Sequence, residues 1–207
     1  MRETTILPKS GPARSKRHTL SREIVETIVL TLLIYFAVHF SLQPYSVDGP
    51  SMQPGLHTGE KVLVNLLAYD FGSPQRGDVI VFHPPTSNDP NLYYVKRVIA
   101  VPGDTIQIQP TAVLVNGKQL REPYIAKVSG DSPFDQSDVN SVVVPPTTLG
   151  KDQYWVMGDN RTNSVDSRFF GTITRRSIVG KADAVVWPLP SFSWLPDEAG
   201  VFAGVGR

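Results

Sequence analysis

The run Tyr93-Tyr94-Val95-Lys96-Arg97-Val98-Ile99-Ala100-Val101 sets two cations among apolar residues. Alternation in a strand puts Tyr94, Lys96, Val98 and Ala100 on one face. Tyr93, Val95, Arg97, Ile99 and Val101 fall on the other. Both faces are apolar, so the strand is expected to be buried on both sides, with at least one cation among hydrophobes. Burial without a partner lowers a lysine pKa and leaves a neutral amine, which can act as a general base. Arginine cannot take that part, because its pKa stays too high. The bland alternative is a lysine paired with a carboxylate or snorkelling to solvent, and the strand alone favours it.

A nucleophile for such a base stands in Asp48-Gly49-Pro50-Ser51-Met52-Gln53-Pro54-Gly55. The flanking Gly and Pro fix the backbone and leave little bulk around the Ser51 hydroxyl. A nucleophile needs that exposure, together with backbone N–H groups aimed at a developing oxyanion. Taken alone, the segment is a Pro/Gly turn that contains a serine. A third block, Met157-Gly158-Asp159-Asn160-Arg161-Thr162-Asn163-Ser164-Val165-Asp166-Ser167-Arg168-Phe169-Phe170-Gly171, is dense in polar groups. Asp159, Arg161, Asp166 and Arg168 could form a salt-bridged platform there, and Ser164 could offer a hydroxyl. A solvated loop is the alternative.

Other chemistries fit less well. There are no cysteines, which excludes a disulfide framework, a Cys–His nucleophile and a thiolate metal site. No H-e-x-x-H motif is present, and no metal or cofactor is expected. Of the four histidines, His18 and His39 fall in or before an apolar segment, and neither His57 nor His83 has a setting that suggests a triad. The net charge of +1 gives no argument for a nucleic-acid partner.

These residues need elements to position them. Ile24–Leu42 is an apolar run whose one formal charge is Glu26. As a helix it would span roughly 28 Å, close to the thickness of a bilayer core. Neither Ala37-Val38-His39 nor Ser41-Leu42-Gln43 makes a convincing small-x-small cleavage site, so a membrane anchor over residues 23–42 is preferred to a removable signal peptide or a buried core helix. Residues 1–20 are polar and basic and read as a disordered tail. The excess of positive charge before the anchor places residues 1–22 in the cytoplasm and residues 43–207 on the far side.

Beyond Pro44 the pattern changes to period two. Strands are expected at 60–67, 78–82, 93–101, 105–109, 112–115, 141–144, 154–157 and 181–187. Asn116-Gly117 is a hairpin signal, and 84–91 and 129–140 read as surface loops. The expected fold is mainly β, one antiparallel sandwich or barrel behind one N-terminal helix. Trp187, Phe192, Trp194, Leu195 and Phe202 could meet a membrane interface or pack into the core.

In this order and spacing, four stretches resemble the type I signal peptidases. They are Gly49-Pro50-Ser51-Met52-x-Pro54, residues 76–82 (RGDVIVF), residues 94–104 (YVKRVIAVPGD) and Gly158-Asp159-Asn160-Arg161-x-Asn163-Ser164-x-Asp166-Ser167-Arg168. Each is moderately specific; all four behind one anchor are much more so, and the resemblance outweighs the bland alternatives above.

The resemblance implies a serine endopeptidase that removes signal peptides from secretory pre-proteins after a small-x-small motif. It implies an antiparallel β domain in the plasma membrane, with the thylakoid membrane a second location if the chain is cyanobacterial. Ser51 matches the nucleophile and first oxyanion donor, Lys96 the general base, and Ser164 the hydroxyl that orients the lysine. Met52, Tyr94 and Val95 match positions near the substrate pockets. Asp159, Arg161, Asp166 and Arg168 match a structural support. Gly49 stands where some members carry a serine as second oxyanion donor, which leaves that donor unassigned. The competing readings are a self-cleaving Ser–Lys repressor, which would need a DNA-binding N-terminal domain, and a non-catalytic membrane-tethered β module.

Overall fold

A computed structural model describes residues 16–125 and 142–206. The chain divides into two units, with the break after Phe40. The first contains helix α1, Lys16–Ser41. Within it, Arg22–Ser41 has a mean hydropathy of 1.9 and is long and apolar enough to cross a membrane. The apolar residues from Ile24 to Phe40 whose side chains are described are exposed in the isolated chain. Arg22 and Glu26 form an i,i+4 pair at 2.6 Å near the start of that stretch. The helix begins earlier than the apolar run, so Lys16 and the residues after it are helical rather than part of a disordered tail. It also ends one residue sooner, because Leu42 already belongs to a strand. The rest of the expected tail and the whole of the expected 129–140 loop lie outside the described residues.

The second unit is built from antiparallel strands, as expected. They are β1 Leu42–Ser46, β2 Lys61–Asn65, β3 Val79–Phe82, β4 Tyr94–Ala100, β5 Thr105–Gln109, β6 Ala112–Val115, β7 Lys118–Gln119, β8 Val144–Thr148, β9 Gln153–Met157, β10 Ile173–Thr174, β11 Ile178–Trp187 and β12 Ser193–Trp194. One short helix, α2, covers Ser167–Phe170. The larger sheet runs β1-β2-β11-β3-β4-β9-β10, with β12 also paired to β11. The smaller runs β7-β6-β5-β8. β4 lies inside the larger sheet, and Lys96 through Ala100 are all buried, which matches its apolar character on both faces.

Three apolar clusters hold the sheets. One joins Ile106, Ile108, Val113 and Val115 of the smaller sheet to Ile99, Trp155 and Met157 of the larger. A second gathers Met52 and Leu56 with Val62, Val64, Val79 and Val81. The third packs Tyr69, Ile80, Phe82 and Val98 against Tyr154, Val156 and Ile178. The aromatic C-terminal stretch divides: Phe202 is buried and Leu195 half-buried, whereas Trp187, Phe192 and Trp194 are exposed.

Some strands differ from expectation. β8 lies at Val144–Thr148, not 141–144, and runs through Pro145 and Pro146. It is the outer strand of its sheet, where a missing N–H can face away from the ladder. β1 likewise contains Pro44 and is an edge strand. β7, β10 and β12 are two residues long and carry no periodic signal.

Candidate active site

Lys96 and Ser51 meet. Lys96 Nζ lies 2.8 Å from Ser51 Oγ, and it donates to the backbone oxygen of Val95 at 3.0 Å. The lysine is 4% exposed and has no ion pair among the described residues. Burial is the chief influence on the amine and pulls it down from its ordinary 10.5 to about 8. Asp166 and Asp159 pull it back in part, and Arg168 pushes it further down. The Tyr94 ring centroid stands 5.2 Å from the same Nζ.

The serine is held by a tight turn. Gly49, at φ 88°, takes the left-handed conformation that brings the chain round. Gln53 N–H donates to Pro50 O at 3.1 Å, and Leu56 N–H to Met52 O at 2.9 Å. Met52 and Leu56 anchor the turn in the second apolar cluster. Ser51 itself is half-buried. Its own N–H has no acceptor among the described residues, so it is free to meet an anion.

The polar block arrives because β9 pairs with β4. Arg97 is registered opposite Met157, so Gly158 follows at the level of Lys96. A β-carbon on Gly158 would stand 2.6 Å from Ser164 Cβ, and would collide with Ser164 Oγ and the carbonyl oxygen of Ser51. Only glycine fits between them. Asn160 then ties the block to the serine turn: its backbone N–H donates to Ser51 O at 3.0 Å and its Nδ2 to Pro50 O at 3.2 Å.

The four charged residues of the block do not form one internal network. Asp166 and Arg168 pair with each other at 2.8 Å, both fully enclosed, and Asp166 also accepts from Gly158 N–H at 3.0 Å. Asp166 caps α2 through the Arg168 N–H. Asp159 instead pairs with Arg97 through two bonds, of 3.0 and 2.8 Å. Arg161 pairs with Glu122. Ser164 Oγ is buried and accepts or donates no hydrogen bond among the described residues. Asn160 and Glu122 are not singled out from the sequence, and Arg97 is noted there only as the second cation of its strand. Asp159 and Arg161 could have prompted a search for long-range partners, but nothing local names them.

Of the three expected pocket residues, Tyr94 and Val95 are half-buried and Met52 is buried. Met52 lines a cavity of about 320 Å³ together with Leu56, Tyr124, Trp194 and Leu195; Tyr94 and Val95 do not line it. His57 lies 3.9 Å from Glu60, and His83 packs against the Tyr93 ring at a tilt of 44°. Among the described residues, no group of three or more His, Asp or Glu is placed to hold a metal ion.

The arrangement offers a hydroxyl, a buried amine, a free backbone N–H and a buried, unpartnered second hydroxyl. That set suits acyl transfer. Comparison with known proteins points the same way. The family model described as "Signal peptidase, peptidase S26" matches residues 21–187. Signal peptidase IB of Staphylococcus aureus (strain MRSA252) is 36% identical over 178 residues, covering 83% of this chain and 91% of that protein. Signal peptidase I S of Bacillus subtilis (strain 168) is 38% identical over 183 residues, covering 87% and 95%. A crystal structure of a signal peptidase I from Enterococcus faecalis V583 has a TM-score of 0.43 at 31% identity, over 53% of this chain and 96% of that one.

Proposed function

The chain belongs to the signal peptidase family, peptidase S26, and from that premise we propose that it cleaves signal peptides from secretory pre-proteins with Ser51 as nucleophile and Lys96 as general base. The observation that carries this assignment is the 2.8 Å separation of Lys96 Nζ and Ser51 Oγ, at an amine whose pKa burial lowers to about 8.

With the amine neutral, the Ser51 hydroxyl donates to Lys96. Ser51 Oγ attacks the scissile carbonyl carbon as its proton passes to Nζ. The carbonyl oxygen becomes an oxyanion, which the Ser51 N–H receives. Collapse breaks the C–N bond, and the Lys96 ammonium protonates the leaving amine. The signal peptide stays behind as an ester on Ser51. Water then attacks that ester with Lys96 again as base, and Ser51 is regenerated. A neutral amine has two N–H donors. One goes to Val95 O, and Ser164 Oγ is the acceptor we assign to the other. Asp159, Arg161, Asp166 and Arg168 support this geometry through the ion pairs described above.

Substrate binding follows from the edge of the sheet. β1 is an outer strand, with one side unpaired among the described residues. An extended pre-protein can add there through main-chain hydrogen bonds. On this reading Met52, Tyr94 and Val95 would border the places taken by two small substrate side chains and reject larger ones, which would give a small-x-small preference.

Arg22–Ser41 anchors the enzyme in the plasma membrane, since a helix apolar on all sides is at home in lipid. The basic residues before it stay in the cytoplasm, and residues 43–207 work on the far side; in a cyanobacterium the thylakoid membrane would serve equally.

The test is to incubate the detergent-solubilised protein with a secretory pre-protein, alongside Ser51→Ala and Lys96→Ala. Cleavage after a small-x-small site by the wild type alone is expected. Cleavage by either variant would overturn the assignment of that residue.

A further inference from the structure

Arg161 is among the largest fully buried side chains of the described residues. Its Nε donates to Gly158 O at 2.9 Å. Its two terminal nitrogens go to the carboxylate of Glu122, Nη1 at 2.7 Å from Oε2. Glu122 lies 39 residues away in the chain, just beyond β7 of the smaller sheet. One guanidinium therefore bridges that stretch to the glycine on which Ser51 O and Ser164 pack. Glu122 takes a further bond from Tyr124 Oη at 2.6 Å. The Tyr124 ring centroid lies 4.5 Å from the Arg97 guanidinium, which follows Lys96 on β4. Glu122 thus stands where two lines of contact meet, one running to the serine turn and one to the strand of the lysine.

We propose that Glu122 is a positioning residue for the cleavage reaction: its carboxylate fixes Arg161, and the Arg161–Gly158 bond then sets where the Ser51 carbonyl and Ser164 stand relative to Lys96. The proposal rests on the Ser51/Lys96 reading above. Glu122 touches no reacting atom. Burial by itself would raise its carboxyl pKa, yet the Arg161 guanidinium holds it below the ordinary value, so it stays charged as the bridge requires. A carboxylate that merely balances a buried charge would matter for folding alone. One that holds Gly158 in place also matters for rate, because small misplacements of reacting groups are costly.

The experiment separates these roles in the full-length, detergent-solubilised chain, measuring kcat and KM on a pre-protein together with Tm. The variants are Glu122→Gln and the double variant Glu122→Ala/Arg161→Met. The double variant removes the buried charge along with its partner, so its Tm is expected to return toward wild type. Its Arg161–Gly158 bond is gone, so kcat is expected to stay down by about 10- to 100-fold. Glu122→Gln is expected to lower kcat by about tenfold or more with KM within about twofold of wild type. Wild-type kcat in either folded variant would overturn the proposal, as would a loss confined to KM. Ser51→Ala in the same assay reports on the underlying reading: its cleaving the substrate would remove that reading, whatever Glu122 does.

Discussion

Lys96 and Arg97 are consecutive on β4 and almost equally buried, 4% and 3% exposed, yet of the two only Arg97 has a carboxylate partner among the described residues. Alternation sends them to opposite faces of the strand. Arg97 meets Asp159 through two bonds, while Lys96 meets a hydroxyl and a carbonyl. The strand therefore keeps one permanent cation neutralised and leaves the titratable one exposed to the full effect of burial. Desolvation favours the neutral amine only because nothing adjacent pays it back in full.

The pH dependence follows. In the proposed mechanism Lys96 accepts the Ser51 proton and so must be neutral, and burial lowers its pKa to about 8. Cleavage should rise about tenfold per pH unit from pH 5 towards 8 and level off above. Single-turnover cleavage of a pre-protein across pH 5–10 checks it. A flat profile between pH 5 and 9 would exclude a neutral-amine base.

Lys96 should also be a burden on stability. Its pKa falls from 10.5 unfolded to about 8 folded, so between those values the unfolded chain binds more protons. Stability contributed by this site thus rises with pH through that window, and the penalty is fully present below pH 8. The depression corresponds to about 3 kcal/mol. Lys96→Met should abolish cleavage yet raise denaturant stability at pH 7, with the advantage shrinking between pH 8 and 10.5. Equal stabilities at pH 7 would show that the buried amine is not destabilising.

Ser164 offers a contrast between rate and stability. Its Oγ is buried with no partner among the described residues. Removing an unsatisfied polar atom costs the fold little and can stabilise it. Ser164→Ala is expected to keep or slightly raise Tm while kcat drops by about 10- to 100-fold, since the lysine would lose the group proposed to orient it. Chevron or thermal melts beside steady-state kinetics would check this. A variant with wild-type kcat would leave Ser164 as packing only.

Much of the β architecture was legible because its signals are local. Thr105–Gln109 alternates cleanly, Ala112–Val115 is a short apolar run before a turn, and both are found with those bounds. Asn116 and Gly117 both take positive φ, 52° and 76°, as a two-residue hairpin of that kind requires. Strands β1 and β8 run through Pro44, Pro145 and Pro146, where local pattern gives little sign of a strand, since proline fits one only at a sheet edge and the edge is set by the topology. The partners of Asp159 and Arg161 were beyond reach for a different reason. An ion pair between residues 62 or 39 apart is decided by how the sheets fold together, and no spacing rule records it. Gly158 carried a legible hint, a glycine between a strand and a polar block, but its reason is steric and appears only when Ser51 and Ser164 close on it.

The Lys96–Ser51 contact joins residues 45 apart in the chain, and Asn160 holds Pro50 across 110. Contacts of such range form late, because the entropy of closing long loops must be met before they stabilise anything. A half-made chain, or one whose hairpins have formed without docking, has a serine and a lysine but no protease. On the proposed mechanism, topology therefore acts as a timer: cleavage can begin only once the sheets have docked and brought the two residues together.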